Sequence, residues 1–146
     1  AGLGMSTLLI EDPDLMARFK KGFPMSNPFG VSAVIAAYTK CDEWVDELNE
    51  YLDKLIDYTM DRFSKDLPKV EVVKPEGTYV LWLDFSGYGL SDKELAEKIN
   101  ASHLILQDGK FFDETRAGQY RRICLTSPMS QVAEMCDRLA AAFKDC

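Results

Sequence analysis

Two arginines stand side by side in YRRICLTSP, Tyr120 to Pro128, at the mouth of an apolar run. A guanidinium is a planar fork that can grip a carboxylate through two parallel hydrogen bonds. The run Ile123, Cys124, Leu125 reads as a short strand, and side chains alternate faces along a strand. Arg121 therefore goes with Ile123 and Leu125, and Arg122 with Tyr120, Cys124 and Thr126. Arg122 is the candidate for binding an anionic ligand. The ordinary alternative is an edge-strand arginine paired with one of the 24 acidic residues of the chain.

Other reactive side chains offer less. Lys110 sits in QDGKFF, a glycine turn beside two aromatics. A lysine in an apolar pocket can lose its proton and form a Schiff base, but a solvated loop lysine is the simpler reading. His103, the one histidine, opens an apolar stretch and reads as structural. Asp12 and Asp14 flank Pro13 as turn or N-cap residues. GLG near the start lacks the rest of a dinucleotide fingerprint. Trp44 and Trp82 read as packing residues. Cys41, Cys124, Cys136 and Cys146 are scattered without a C-x-x-C, so neither a zinc site nor a dithiol redox site is indicated.

The elements that must position Arg122 follow from periodicity. GMSTLLIED reads as a strand or the end of a buried element, and PDLMARFKKG as a short helix ended near Gly22. FPMSNPFG is a broken connection, and VSAVIAAYTK is a helical run, apolar on all sides and expected to be buried. From an Asp42 N-cap, Val45, Leu48, Leu52, Leu55, Thr59 and Phe63 mark one face of a helix to about Lys65. VEVV and TYVLWLDF are β-prone around the turn Pro75–Gly77. Ser91 and Glu94 form a capping box. HLILQ reads as a buried strand. Ser127 or Ser130 caps a last helix, with Pro128 near its first turn.

From Asp42 the order is thus α-β-β-α-β-β-α. That is an α+β fold, a small mixed or antiparallel sheet with helices packed on one face. A strand and helix segment precedes it. The domain division expected is 1–30 as an attachment belonging to something larger and 31–146 as the domain itself. A net charge of −7 argues against nucleic-acid or anionic-membrane partners. No apolar run approaches the roughly 20 residues of a membrane span. A reduced, cytoplasmic setting is expected, and the start at AGLGMSTLLI suggests a fragment.

Four stretches together resemble one family: AGL with the β-like segment after it, NPFGVSAVIAAYTKCDEWVDEL, VVKPEGTYVLWLDFSGYGLSDKEL, and YRRICLTSP. They are similar to the C-terminal small domain of the class I/II aminotransferase superfamily. These are pyridoxal-phosphate enzymes of fold type I, and the likeness is greatest to the cystathionine β-lyase-like C–S lyases. The resemblance implies that Arg122, six residues before Pro128, binds the substrate's α-carboxylate. It implies that residues 1–30 are left over from a large domain. The Schiff-base lysine is expected just upstream of Ala1, so the fragment alone would be inactive. It implies pyridoxal 5'-phosphate as cofactor, an amino acid as small-molecule substrate, and a missing N-terminal large domain that holds the cofactor. The intact enzyme would be a homodimer acting as a C–S β-lyase or an aminotransferase. The alternative is a stand-alone α+β ligand-binding or interaction domain without catalysis.

Overall fold

The structure is a computed structural model describing residues 2–19 and 27–146. It divides into two compact units, Ala1–Glu47 and Leu48–Cys146.

In the first unit, α1 spans Pro13–Phe19 and α2 spans Pro28–Lys40. The Asp12 carboxylate accepts from the amides of Asp14 (2.8 Å) and Leu15 (3.1 Å), which is the expected N-cap role. The Asn27 side chain caps α2 by accepting from the Phe29 amide, and Pro28 takes the first turn, where its missing N–H costs nothing. Two expectations fail here. Residues 5–10 form no strand, because among the described residues no partner strand runs beside them, and Leu9 is 89% exposed. Helix α2 forms but is not buried: Phe29, Ile35 and Tyr38 are all exposed. Only Gly30 is covered, and a Cβ there would overlap the Met5 side chain. The expected helix end at Gly22 lies outside the described residues.

Helix α3, Asp42–Asp66, crosses from the first unit into the second. Asp42 is its first helical residue rather than its N-cap, since the Cys41 carbonyl already accepts from Val45. Trp44 is exposed on its first turn. In the second unit, the order after α3 is β1 Glu71–Val72, β2 Val80–Asp84, α4 Asp92–Ala101, β3 Gln107–Asp108, β4 Tyr120–Cys124 and α5 Met129–Phe143. The α-β-β-α-β-β-α reading is what the chain adopts. The sheet is wholly antiparallel, in the order β1-β2-β4-β3.

Parity along the strands decides which side chains meet the helices. Leu81 and Leu83 of β2, Phe85 beyond it, and Ile123 and Leu125 pack with Leu55, Ile56 and Phe63 of α3. Leu95 and Ile99 of α4, and Val132, Cys136, Leu139 and Phe143 of α5, complete that core. Each large apolar side chain so buried contributes about 1.5–3 kcal/mol. Arg62 of α3 ties the helical layer together by donating to Asp66 (2.7 Å) and to Asp137 of α5 (2.6 Å).

Local signals are followed closely at α4. The Ser91 hydroxyl accepts from the Glu94 amide, and the Glu94 carboxylate accepts from the Ser91 amide. They fail at two places. Neither Ser127 nor Ser130 caps α5: Pro128 occupies the N-cap position, and the Tyr51 hydroxyl accepts from the Met129 amide instead (2.9 Å). The stretch 103–107 is not a buried strand. His103 takes a left-handed φ of 58°, a conformation His tolerates better than most. Leu104 and Leu106 pack on the core while Ile105 points out at 99% exposure. Pairing with β4 begins only at Gln107.

Candidate functional site

The face of the sheet opposite the helices carries the candidate site. Across β2 and β4, Trp82 pairs with Arg122, Val80 with Cys124 and Asp84 with Tyr120; from β3, Gln107 pairs with Arg122 on its other side. Arg122 thus lies in an interior strand, not at an edge. Its parity partners are those expected from the sequence. Trp82 stacks on Tyr120 (centroids 5.7 Å apart, 20° between planes), and Phe112 meets Trp82 edge-on at 5.4 Å. The Phe112 ring also covers the guanidinium, with Cζ 5.0 Å from its centroid, a cation–π contact.

No described acidic residue pairs with Arg122, and its Nε is buried without an acceptor. This excludes the ordinary reading of a strand arginine neutralised by a neighbour. A half-buried guanidinium walled by aromatics and lacking an acceptor is chemically able to pair with a carboxylate through its fork of donors. Aromatic walls lower the local dielectric and strengthen such a pair. Nearby, the Tyr120 hydroxyl bonds the Asp84 carboxylate, which raises the Tyr120 pKa. Burial pushes Asp84 up, but hydrogen bonds from Ser86 and Tyr120 outweigh it and leave the carboxyl below its usual range.

Arg121 turns the other way and is only 2% exposed. Its Nη1 donates to the carbonyls of Gly118 (2.9 Å) and Tyr120 (2.7 Å) and lies 3.4 Å from Asp108. It is therefore a structural cation that pins the approach to β4, a role the sequence reading did not assign. The signal for it was its parity with Ile123 and Leu125, which placed it in the core.

Lys110 lies in a 3-10 turn, Gly109–Phe111, and pairs with Asp92 at the start of α4. That hydrogen bond raises its pKa, the opposite of what Schiff-base chemistry needs. His103 is exposed, and its carbonyl accepts from Arg138 (3.2 Å). The described residues contain no group of His, Cys, Asp and Glu fit to hold a metal. A larger groove, about 610 Å³, lies between α4 and α5, away from the arginine face. Both its cations are engaged: Lys98 Nζ with the Ala142 carbonyl (2.8 Å) and Arg138 with Glu134 (2.5 Å). Among the described residues no helix is long and apolar enough to cross a membrane.

Comparison with known proteins bears on this geometry. No family model matches the chain. It is 40% identical over 115 residues to cystathionine beta-lyase PatB of Bacillus subtilis, covering 75% of this chain and 30% of that relative. Cystalysin from Treponema denticola, whose crystal structure contains pyridoxal 5'-phosphate, superposes with a TM-score of 0.86 at 31% identity, over 99% of this chain and 38% of that one. A pyridoxal-phosphate-bound C–S lyase from Staphylococcus hominis gives 0.81 at 29% identity, over 94% and 37%. The chain belongs to the superfamily of pyridoxal-phosphate-dependent C–S lyases and aminotransferases. Within it, PatB is named a cystathionine β-lyase, and the chain spans about a third or less of the length of the curated relatives it matches.

Proposed function

We propose that this chain is the C-terminal small domain of a pyridoxal-phosphate enzyme acting on amino acids, and that Arg122 holds the substrate's α-carboxylate. One observation carries the reading: the Arg122 guanidinium faces outward from the sheet with a buried, acceptorless Nε. The donors present fit an amino-acid carboxylate rather than the cofactor's ring or phosphate. Those are assigned to a large domain upstream, together with the Schiff-base lysine. Residues 1–30 then belong with that large domain and 31–146 form the small one.

When bound, pyridoxal phosphate supplies an electron sink for the electron pair left at the substrate's Cα. What this chain adds is orientation. Two parallel donors from Arg122 fix the plane of the carboxylate and so the direction of the Cα–H bond. Phe112, Trp82 and Tyr120 exclude water from that contact. With the carboxylate so fixed, Arg122 would present the Cα–H bond to a base supplied from outside this chain, and in a C–S lyase the bond to be broken would be Cβ–S, the sulfur leaving as thiolate with the bonding pair. The names of the sequence relatives favour this C–S elimination, with pyruvate, ammonia and a thiol as final products. The intact protein would be a cytoplasmic homodimer, and the first unit, with its exposed α2, would rest on the large domain.

The test is steady-state kinetics of the full-length enzyme on cystathionine and on an amino-acid/keto-acid pair. Arg122→Lys keeps the charge but loses the fork. A lost charge-assisted pair of roughly 2–3 kcal/mol corresponds to about a thirty- to hundred-and-fifty-fold fall in kcat/KM. Arg122→Ala should cost more, with the cofactor's absorbance unchanged. Wild-type kcat/KM in Arg122→Ala would overturn the proposal.

A further inference from the structure

We propose that Asp92 and Lys110 form a latch that holds Phe112 against the Arg122 guanidinium, which makes both of them positioning residues for carboxylate recognition. The inference rests on the reading of Arg122 given above.

Phe112 is 49% exposed and belongs to no strand. Its position over Arg122 depends on the short turn before it. That turn is held from three directions. The Asp108 carboxylate accepts from the Lys110 amide (2.9 Å), and the Gly109 carbonyl accepts from the Phe112 amide (2.8 Å), closing the turn itself. Gly109 lies against the chain leading into β4, so closely that a Cβ there would come within 2.9 Å of the Tyr120 Cβ and overlap the Ala117 carbonyl. The third hold is Asp92. One carboxylate oxygen takes the Lys110 ammonium and the other accepts from Gln119 Nε2 (2.6 Å). Asp92 is seated on Gly118, where any side chain would collide with its carboxylate.

Asp92 thus ties the start of α4 to both ends of the segment that carries Phe112. An ion pair this exposed contributes little to global stability. Its effect is local: it limits where residues 110–112 can go. Without it the Phe112 ring can leave the guanidinium, and Arg122 gains freedom that must be lost again when a carboxylate binds.

The experiment uses the full-length holoenzyme. Lys110→Met should raise KM for the amino-acid substrate about three- to tenfold with kcat within about twofold, as should Phe112→Leu. The double variant should be no worse than Phe112→Leu alone, since both act through one ring. Lys74→Met breaks another exposed ion pair, with Asp57, and should leave KM unchanged. A second readout is independent of turnover. In 5-fluorotryptophan-labelled protein, the Trp82 resonance, assigned with Trp82→Phe, should move in Lys110→Met toward its position in Phe112→Leu. An unchanged KM and an unchanged Trp82 resonance in Lys110→Met would overturn the latch, and so would multiplicative losses in the double variant. If Arg122→Lys itself leaves KM and kcat/KM untouched, the carboxylate reading falls. If Arg122→Lys is impaired and Lys110→Met is not, only the latch falls.

Discussion

Adjacent arginines in one strand should have opposite consequences when removed. Arg121 is almost fully buried and gives Nη1 to two backbone carbonyls, with Asp108 3.4 Å away. Arg121→Ala leaves those carbonyls without their donor and opens space beneath β4. Hydrogen bonds to a charged donor are worth about 1.5–3 kcal/mol each. The Nη2 of Arg121 has no acceptor among the described residues, and its removal returns part of that. A net loss of about 3–4 kcal/mol is expected, within the range for breaking a buried charged network. Arg122→Ala gives up mainly the cation–π contact with Phe112, about 0.5–1 kcal/mol. Urea unfolding followed by far-UV circular dichroism measures both as shifts in midpoint at constant slope. The expected pattern is a large shift with Arg121→Ala and a small one with Arg122→Ala, while substrate binding is lost chiefly in the second. An unfolding free energy for Arg121→Ala within about 1 kcal/mol of wild type, from the midpoint shift and slope, would refute the assignment of Arg121 to the structure. It would also refute the register that separates the two side chains.

Further outcomes follow from the same geometry. A Cβ at Gly109 would overlap the Ala117 carbonyl, so Gly109→Ala should destabilise by about 1–3 kcal/mol, read from the same urea curves. Desolvation pushes the Cys136 thiol up to about 11, whereas Cys124 and Cys146 are exposed. Ellman's reagent at pH 8 should label Cys124 and Cys146 quickly and Cys136 only after denaturant is added. The Lys110 and Gln119 hydrogen bonds hold the Asp92 carboxyl below its usual range. Because its folded pKa is depressed, the stability it contributes is present above the unfolded value near 4 and is lost as pH falls through the folded one. Thermal melts between pH 5 and pH 2.5 should therefore show a shallower acid loss in Asp92→Asn than in wild type.

The sequence by itself determined the elements whose rules are local. Capping chemistry at Ser91 and Glu94, the apolar stripe of α3 and the parity of β4 all depend on residues within one turn or one strand, and all three are found in the structure. Parity alone separated Arg121 from Arg122, because a strand has no third face to offer. Tertiary structure decided what depends on a partner far along the chain. Among the described residues, residues 5–10 have strand composition but no neighbouring strand to bond, and α2 has core composition but stays exposed within its own unit. That Arg122 is left without a carboxylate in a chain of net charge −7 could not be read from composition, since it depends on where β3 and the 109–112 turn place Gln107 and Phe112. Nor could the pairing of Lys110 with Asp92, eighteen residues apart in sequence, be seen before β3 and β4 brought their segments together. Alternation and helical period act over a few residues, whereas an ion pair or an open cation is fixed by whichever segments the packed core leaves adjacent.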